Sequence, residues 1–164
     1  MGGSGIKSEF SFLSYKIDKI DYSILQDIGV VQFNCNYKNC EWQQKISIRN
    51  PVFFKSQKVY LCGVNSTMKL INHNNEEDKK RKTWLTLKTG IVGLFAIGDR
   101  LDEESEKKFV TVGAPALLFP YLRAACSNIL ASSGFGSVVM PLVNMHKVGI
   151  AFAAKEDFSI LVQE

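Results

Sequence analysis

The sequence predicts an α+β fold in which a four-stranded antiparallel sheet is followed by two helices. Residues 10–98 contain four segments in which apolar and polar side chains alternate, the period of half-buried strands. Residues 114–153 instead repeat apolar side chains every three or four positions, the period of helices. A run of strands followed by a run of helices favours an antiparallel sheet over alternating βα units.

Length and composition indicate one globular domain. We assign residues 10–164 to that domain and residues 1–9 to a flexible arm or a tag remnant. The chain is 46% hydrophobic and 22% charged, which is ordinary for a soluble protein. It has neither a run of about 18 apolar residues nor the apolar stretch of a secretory signal, so we expect a cytoplasmic protein without membrane insertion. A net charge of +4 is too small to indicate nucleic-acid binding by itself.

The four predicted strands are residues 10–24, 45–50, 59–71 and 83–98. The first strand has two alternating apolar sets separated by an odd step from Ile17 to Ile20, which predicts a bulge near Asp18. In the last strand, Gly90 and Gly93 suggest a bend or bulge.

Three further segments are less regular. Residues 52–54 follow a proline as a short apolar knot, and residues 158–162 are either a late strand or a docked tail. Residues 25–42 form a long loop that carries apolar side chains. This loop either caps the sheet or has a binding role, as long loops in compact domains often do.

The first predicted helix has an apolar stripe and a clear end. Its stripe residues recur at i, i+4, i+7 and i+11, and they are Leu118, Leu122, Ala125 and Ile129. Gly134 stands where a C′ glycine ends a helix. Pro120 would remove a hydrogen bond from the interior, so the helix is either kinked there or begins near Phe119.

The second predicted helix begins after Asn144, a residue suited to the N-cap. Met145, Val148 and Phe152 follow at i, i+3 and i+7, on one face. Gly149 weakens this helix by roughly 1 kcal/mol relative to alanine.

The sequence shows no arrangement of residues that predicts catalysis or a cofactor. It has no phosphate-binding glycine loop, no HExxH and no GxSxG. Cys35 and Cys40 are the only close cysteine pair and lack a second pair of ligands, so we expect reduced thiols and no metal. Cys126 lies mid-helix and is predicted to be a packing residue. We therefore expect a binding protein rather than an enzyme, with no cofactor.

Several segments resemble the SecB protein-export chaperones. Leu-Phe-Pro-Tyr-Leu-Arg at 118–123, the Gly-Phe turn at 134–135 and Pro-Leu-Val-Asn at 141–144 are similar to the family signature in order and spacing. Trp42-Gln-Gln-Lys-Ile and Gly-Leu-Phe-Ala-Ile at 93–97 resemble the family's second and fourth strands. The resemblance covers about residues 10–150.

The resemblance implies an ATP-independent chaperone, a holdase that keeps unfolded polypeptides in exposed hydrophobic grooves for export through the Sec pathway. The residues of this groove that lie on the second predicted helix could instead pack in the core of the domain. The implied polypeptide-binding residues are Val30, Val31, Phe33, Trp42, Leu142, Met145, Val148 and Phe152.

The resemblance also implies a homo-oligomer, a dimer of dimers, with long helices at its centre. Small side chains along the first helix suit close packing against a partner, although packing on the chain's own sheet is the alternative. The implied interface residues are Tyr121, Ala124, Ala125, Asn128 and Ala131.

The charge of the sheet departs from the family pattern. SecB proteins are typically acidic and dock the SecA motor, whereas residues 79–82 and Lys88 are basic here. The partners implied are therefore unfolded preproteins, with SecA disfavoured, or an antitoxin, as in SecB-like members of toxin–antitoxin–chaperone modules. A nucleic-acid-binding or scaffold protein that uses the basic cluster is the alternative of another class.

Overall fold

The computed structural model describes residues 10–25, 40–73, 82–98, 102–136 and 138–164. Within these ranges, five strands precede the helices and one short strand follows them, which confirms the predicted α+β class. The strands are β1 (Phe10–Ile24), β2 (Cys40–Ile48), β3 (Val52–Phe54), β4 (Val59–Asn72), β5 (Lys82–Ile97) and β6 (Leu161–Gln163).

The sheet has more strands than the four predicted. The strand order is β1-β5-β4-β3-β6, and β2 also pairs with β4. The short segment that the sequence presents as an apolar knot is β3, which pairs antiparallel with β4. The tail then adds β6 parallel to β3, which makes the sheet mixed. Each of these two strands has only three residues, too few for alternation to reveal them.

Strand β1 carries the predicted bulge and a second one. The register with β5 shifts between Ile17 and Lys19, as the odd step in the apolar pattern predicts. It also shifts between Phe12 and Ser14. The register between β4 and β5 is regular at Gly90, so the irregularity expected there belongs to β1 on the other side of β5.

The helical layer comprises α1 (Glu103–Lys108), a π-helical turn (Phe109–Gly113), α2 (Ala114–Leu130), a second π-helical turn (Ala131–Phe135) and α3 (Met145–Ala153). Asp102 caps α1, because its side chain accepts a hydrogen bond from the Ser105 backbone amide at 2.8 Å. The run Glu103–Phe135 is long and apolar enough to span a membrane by length and composition alone. Its buried residues pack in the core of the domain, as those of a core helix do.

Pro120 lies inside α2, so a helix that begins near Phe119 is the wrong alternative. Proline at this position removes a bond to the carbonyl of Ala116, and both residues are exposed, so water can satisfy that carbonyl. The helix ends as predicted at Gly134, whose φ of 89° lies in the left-handed region.

The core lies between α2 and the helix-facing side of β4 and β5. On α2 the fully buried stripe is Leu118, Leu122, Cys126 and Leu130. The predicted stripe was correct in its first half, while Ala125 and Ile129 are half-buried beside it. The main partners in the sheet are Tyr60, Val64, Met68, Leu87, Ile91 and Phe95.

The Ser66 hydroxyl in this core has no hydrogen-bond partner within the described residues. Ser66 is 1% exposed and its Oγ is unpaired, whereas Thr89 on the neighbouring strand has Oγ1 3.1 Å from the Cys126 Sγ. Ser66→Ala is therefore expected to raise the free energy of unfolding by roughly 1 kcal/mol, because the unpaired hydroxyl no longer has to be desolvated. Urea unfolding measures this difference.

Thr89→Val is the matched control for Ser66→Ala. It removes a hydroxyl that does have a partner, so it is expected to lower the free energy of unfolding. A loss of stability in Ser66→Ala as large as that in Thr89→Val would contradict the prediction.

Candidate functional site

An apolar surface lies where β2 meets the end of α2 and the start of α3. Trp42 on β2 points to the helical layer, and its ring meets that of Phe135 edge to face, with centroids 6.4 Å apart. Both rings are half-buried against the core. Helix α3 packs on β2, so both Phe135 and α3 contact this strand. We name Trp42, Phe135, Val139, Leu142 and Val148 the β2–α3 surface.

The segment that connects α2 to α3 presents apolar side chains to solvent. Met140 is fully buried, and its carbonyl accepts a hydrogen bond from the Arg123 Nε at 3.1 Å, which fixes the backbone. Val139 and Leu142, on either side of Met140, are 67% and 83% exposed. Large apolar side chains that are exposed on an anchored segment are typical of a contact surface.

Helix α3 places the predicted binding residues at different depths. Its N-cap is Asn144, as predicted, and the Asn144 Oδ1 accepts a hydrogen bond from the Lys147 backbone amide at 3.1 Å. Met145 and Phe152 are buried in the core, and Val148 is half-buried at its edge.

Two residues of this region were not singled out by sequence reasoning, Gln44 and Val139. Gln44 shares the helix-facing side of β2 with Trp42 and Ile46. Its Nε2 is buried and has no hydrogen-bond partner within the described ranges. The available signal was a polar residue at a position where strand alternation calls for an inward-facing one. Val30, Val31 and Phe33 lie outside the described residues.

A second exposed stripe runs along the outer side of α2. Tyr121 is exposed and packs on β1, with its ring centroid 4.4 Å from that of Tyr15. The predicted interface residues Ala124, Asn128 and Ala131 are exposed, while Ala125 is half-buried. Leu117, one turn before Tyr121, is exposed on the same stripe and was missed by sequence reasoning. Steps of four and three residues place all these exposed positions on one helix face.

The buried thiols of Cys62 and Cys126 are expected to be unreactive. Burial raises the pKa of Cys62 to about 12. It also raises the pKa of Cys126, although the hydrogen bond to Thr89 partly offsets this rise. A thiol with a raised pKa is a poor nucleophile at neutral pH because the thiolate is the reactive form. Within the described ranges, no three histidine, cysteine or acidic side chains are close enough to hold a metal ion.

We therefore predict that Cys62 and Cys126 resist alkylation in the native protein at mildly alkaline pH. Iodoacetamide treatment followed by mass-spectrometric mapping measures this, with urea-unfolded protein as the control in which both thiols react. Labelling of Cys62 in the native protein as fast as in the unfolded protein would contradict the prediction.

The comparisons with known proteins agree with the fold and with the sequence signature. The family model for the preprotein translocase subunit SecB matches residues 34–153. The chain belongs to the SecB family. This membership confirms the resemblance seen in the sequence.

Two known proteins illustrate the range of similarity. The protein-export protein SecB of Dechloromonas aromatica (strain RCB) is 35% identical over 63 residues, which cover 38% of this chain and 41% of that SecB. The aligned part is thus less than half of that curated relative. A SecB-like chaperone of Mycobacterium tuberculosis, solved in complex with a ChAD peptide from the HigA1 antitoxin, superposes with a TM-score of 0.64. At 9% identity it covers 83% of this chain and 91% of its own, which shows a common fold.

Proposed function

We propose that this SecB-family protein is an ATP-independent holdase that binds unfolded polypeptides on the β2–α3 surface. The observation that carries the proposal is the exposure of Val139 and Leu142, which lie between Phe135, the ring partner of Trp42, and the start of α3 in the sequence. Burial of apolar area stabilises a complex by about 25 cal/mol per Å², whatever the sequence of the client. Such a surface suits clients that share only exposed hydrophobic segments.

The groups of the surface suggest how a client is held. Leu142 and Val139 supply apolar contact, and the two aromatic rings supply a flat, rigid wall. Met145 and Phe152 would support the floor from the core, and by resemblance Val30, Val31 and Phe33 would extend the surface.

The SecB family consists of chaperones rather than enzymes, and we propose that this protein acts without nucleotide, metal or other cofactor in the cytoplasm. We also propose a homo-oligomer, a dimer of dimers, assembled through the outer stripe of α2. The exposed apolar side chains of Leu117 and Tyr121, which a monomer would leave in water, support this assembly.

Two kinds of client remain as proposals. Preproteins bound for export are favoured by family membership, as the curated relative is a protein-export SecB. An antitoxin is favoured by the likeness to a SecB-like chaperone solved with an antitoxin peptide. SecA remains the less favoured partner because of the basic sheet. The neighbouring genes distinguish the two kinds of client. A toxin–antitoxin pair would favour the antitoxin, and secretion genes would favour preproteins.

The test is light scattering during dilution of a chemically unfolded, non-cognate protein into buffer with the chaperone and without nucleotide. Suppression of scattering at about one client per oligomer is the result expected of a general holdase. Suppression limited to one antitoxin would assign a dedicated client. Failure to delay aggregation of any unfolded protein or antitoxin would overturn the proposal.

A further inference from the structure

The sheet face opposite the helices carries a group of lysines. Strand alternation directs Lys45 on β2, Lys69 on β4 and Lys88 on β5 to this face, because their neighbours in sequence point to the core. All three side chains are exposed. A shallow depression of about 240 Å³ lies beside Lys45 and Lys69, and it is lined by Gln43, Gln44, Lys45, Thr67 and Lys69.

The strand register brings the three lysines together around Thr67. Lys88 and Lys45 are both paired with Thr67, one from each side, so the three residues form one row across the sheet. Adjacent strands are about 4.8 Å apart, which places the Cα atoms of Lys45 and Lys88 roughly 10 Å from each other. Lys69 follows Thr67 by two residues on the same face, about 7 Å along the strand.

Few acidic groups on this face are available to neutralise these lysines. Asp18 forms a bidentate ion pair with Arg49, in which Nη1 and Nη2 donate to Oδ2 and Oδ1 at 2.6 and 2.8 Å. Glu41, at the sheet end, lies 2.8 Å from the Nε2 of His73. Asp21 is opposite Lys88 in the register, but in the described part of the chain none of the three lysines forms an ion pair.

We propose that this lysine face docks an acidic polypeptide segment that lies extended across the sheet. Carboxylates on alternate residues of an extended chain are about 7 Å apart, and the long lysine side chains, whose Cα atoms lie roughly 8 to 10 Å apart, can reach them. The residue rows that hold Lys45, Lys69 and Lys88 contain no aromatic side chain on which bases could stack. Proteins that bind single-stranded nucleic acids combine a positively charged groove with such stacking, so a face that offers charge alone fits a peptide better.

This site is separate from the β2–α3 surface, since Trp42 and Gln44 point to the helical layer while Gln43 and Lys45 point away from it. An acidic partner can therefore bind while a client occupies the other side. The inference does not depend on the proposed holdase activity.

The test uses the full chain and a fluorescein-labelled peptide of alternating glutamate and serine, which has no apolar side chain for the client surface. Fluorescence anisotropy across a salt series is expected to show binding that weakens steeply with salt. The variant K45E/K69E/K88E is expected to lose at least about tenfold in affinity, since three attractions become repulsions. The control variant K108E/K147E/K155E changes the net charge equally with exposed lysines of the helical layer and its end.

Each outcome decides the proposal. Loss of peptide binding in the first variant with retention in the control supports it. Absence of peptide binding to the wild type at low salt, or equal loss in both variants, overturns it. A single-stranded oligonucleotide of matched charge that binds the same face more tightly than the peptide also overturns it, in favour of nucleic acid.

Discussion

Replacing Gly149 by alanine is expected to destabilise this protein, although alanine is the better helix former. At this point α3 crosses the π-helical turn Phe109–Gly113 with almost no space between the backbones. A Cβ at position 149 would overlap the carbonyl oxygen of Thr111 and lie 2.7 Å from the Cγ2 of Val112. The carbonyl belongs to the backbone, and the Thr111 side chain is itself tied to the Lys107 carbonyl at 2.8 Å.

We expect Gly149→Ala to lower the free energy of unfolding by about 2 kcal/mol, within the range for overpacked cores. Helix propensity alone would instead raise it by roughly 1 kcal/mol. Ala151→Gly is the matched control at an exposed position of the same helix, where a loss of about 1 kcal/mol from propensity is expected. Urea unfolding compares the variants, and a Gly149→Ala protein more stable than wild type would contradict the close crossing.

The second large effect is expected at Gly90, beneath the Asp18–Arg49 ion pair. The Arg49 Nε also donates to the Asn65 Oδ1 at 2.8 Å, so the guanidinium is held flat across the sheet. A Cβ at position 90 would overlap the Arg49 Nη2 and lie 2.8 Å from the Asp18 Oδ1. Gly90→Ala is therefore expected to displace the arginine and to lower the free energy of unfolding by about 2 kcal/mol.

A double-mutant cycle isolates this effect. In an Arg49→Ala background the overlap with the guanidinium is absent. Gly90→Ala is therefore expected to lower the free energy of unfolding by less than half as much as it does in the wild type. An equal loss of unfolding free energy in the two backgrounds would contradict the claim that Gly90 is required to make room for Arg49.

The stabilisation from the ion pair also depends on pH. The hydrogen bond from Arg49 lowers the pKa of Asp18 in the folded state below its usual value, despite the opposing effect of burial. The pair therefore stabilises the fold above the unfolded pKa of about 3.9, and this contribution is lost as the pH falls through the folded pKa. The stability difference between wild type and Arg49→Ala is expected to shrink over that acidic range.

Local sequence patterns predicted the strands and helices that are long enough for their apolar period to be recognised. The bulge in β1 followed from the odd step between Ile17 and Ile20, because alternation tolerates no such step on one face. The role of Gly90 was not predictable in this way. Its reason is a guanidinium that comes from 41 positions earlier in the chain, and only the strand register brings the two together.

The candidate site likewise depends on contacts between distant residues, which the sequence pattern does not predict. Helical period correctly placed Met145, Val148 and Phe152 on one face, but a period does not say what covers that face. Met145 and Phe152 are covered by the core, whereas Leu142, which precedes the helix, is almost fully exposed. The resemblance to SecB pointed to this region of the chain, and the contact of Trp42 with Phe135 required the fold.

The most direct test of the central claim is aggregation suppression by V139D/L142D, compared with wild type and with V162D. Val139 and Leu142 are exposed, so their substitution is expected to leave stability nearly unchanged while charging the β2–α3 surface. Val162 is an exposed apolar residue on β6, a strand that pairs with β3 and not with β2, and it serves as the control. We expect V139D/L142D to lose most of the suppression, and V162D to match wild type. Full suppression by V139D/L142D would contradict the assignment of this surface to client binding.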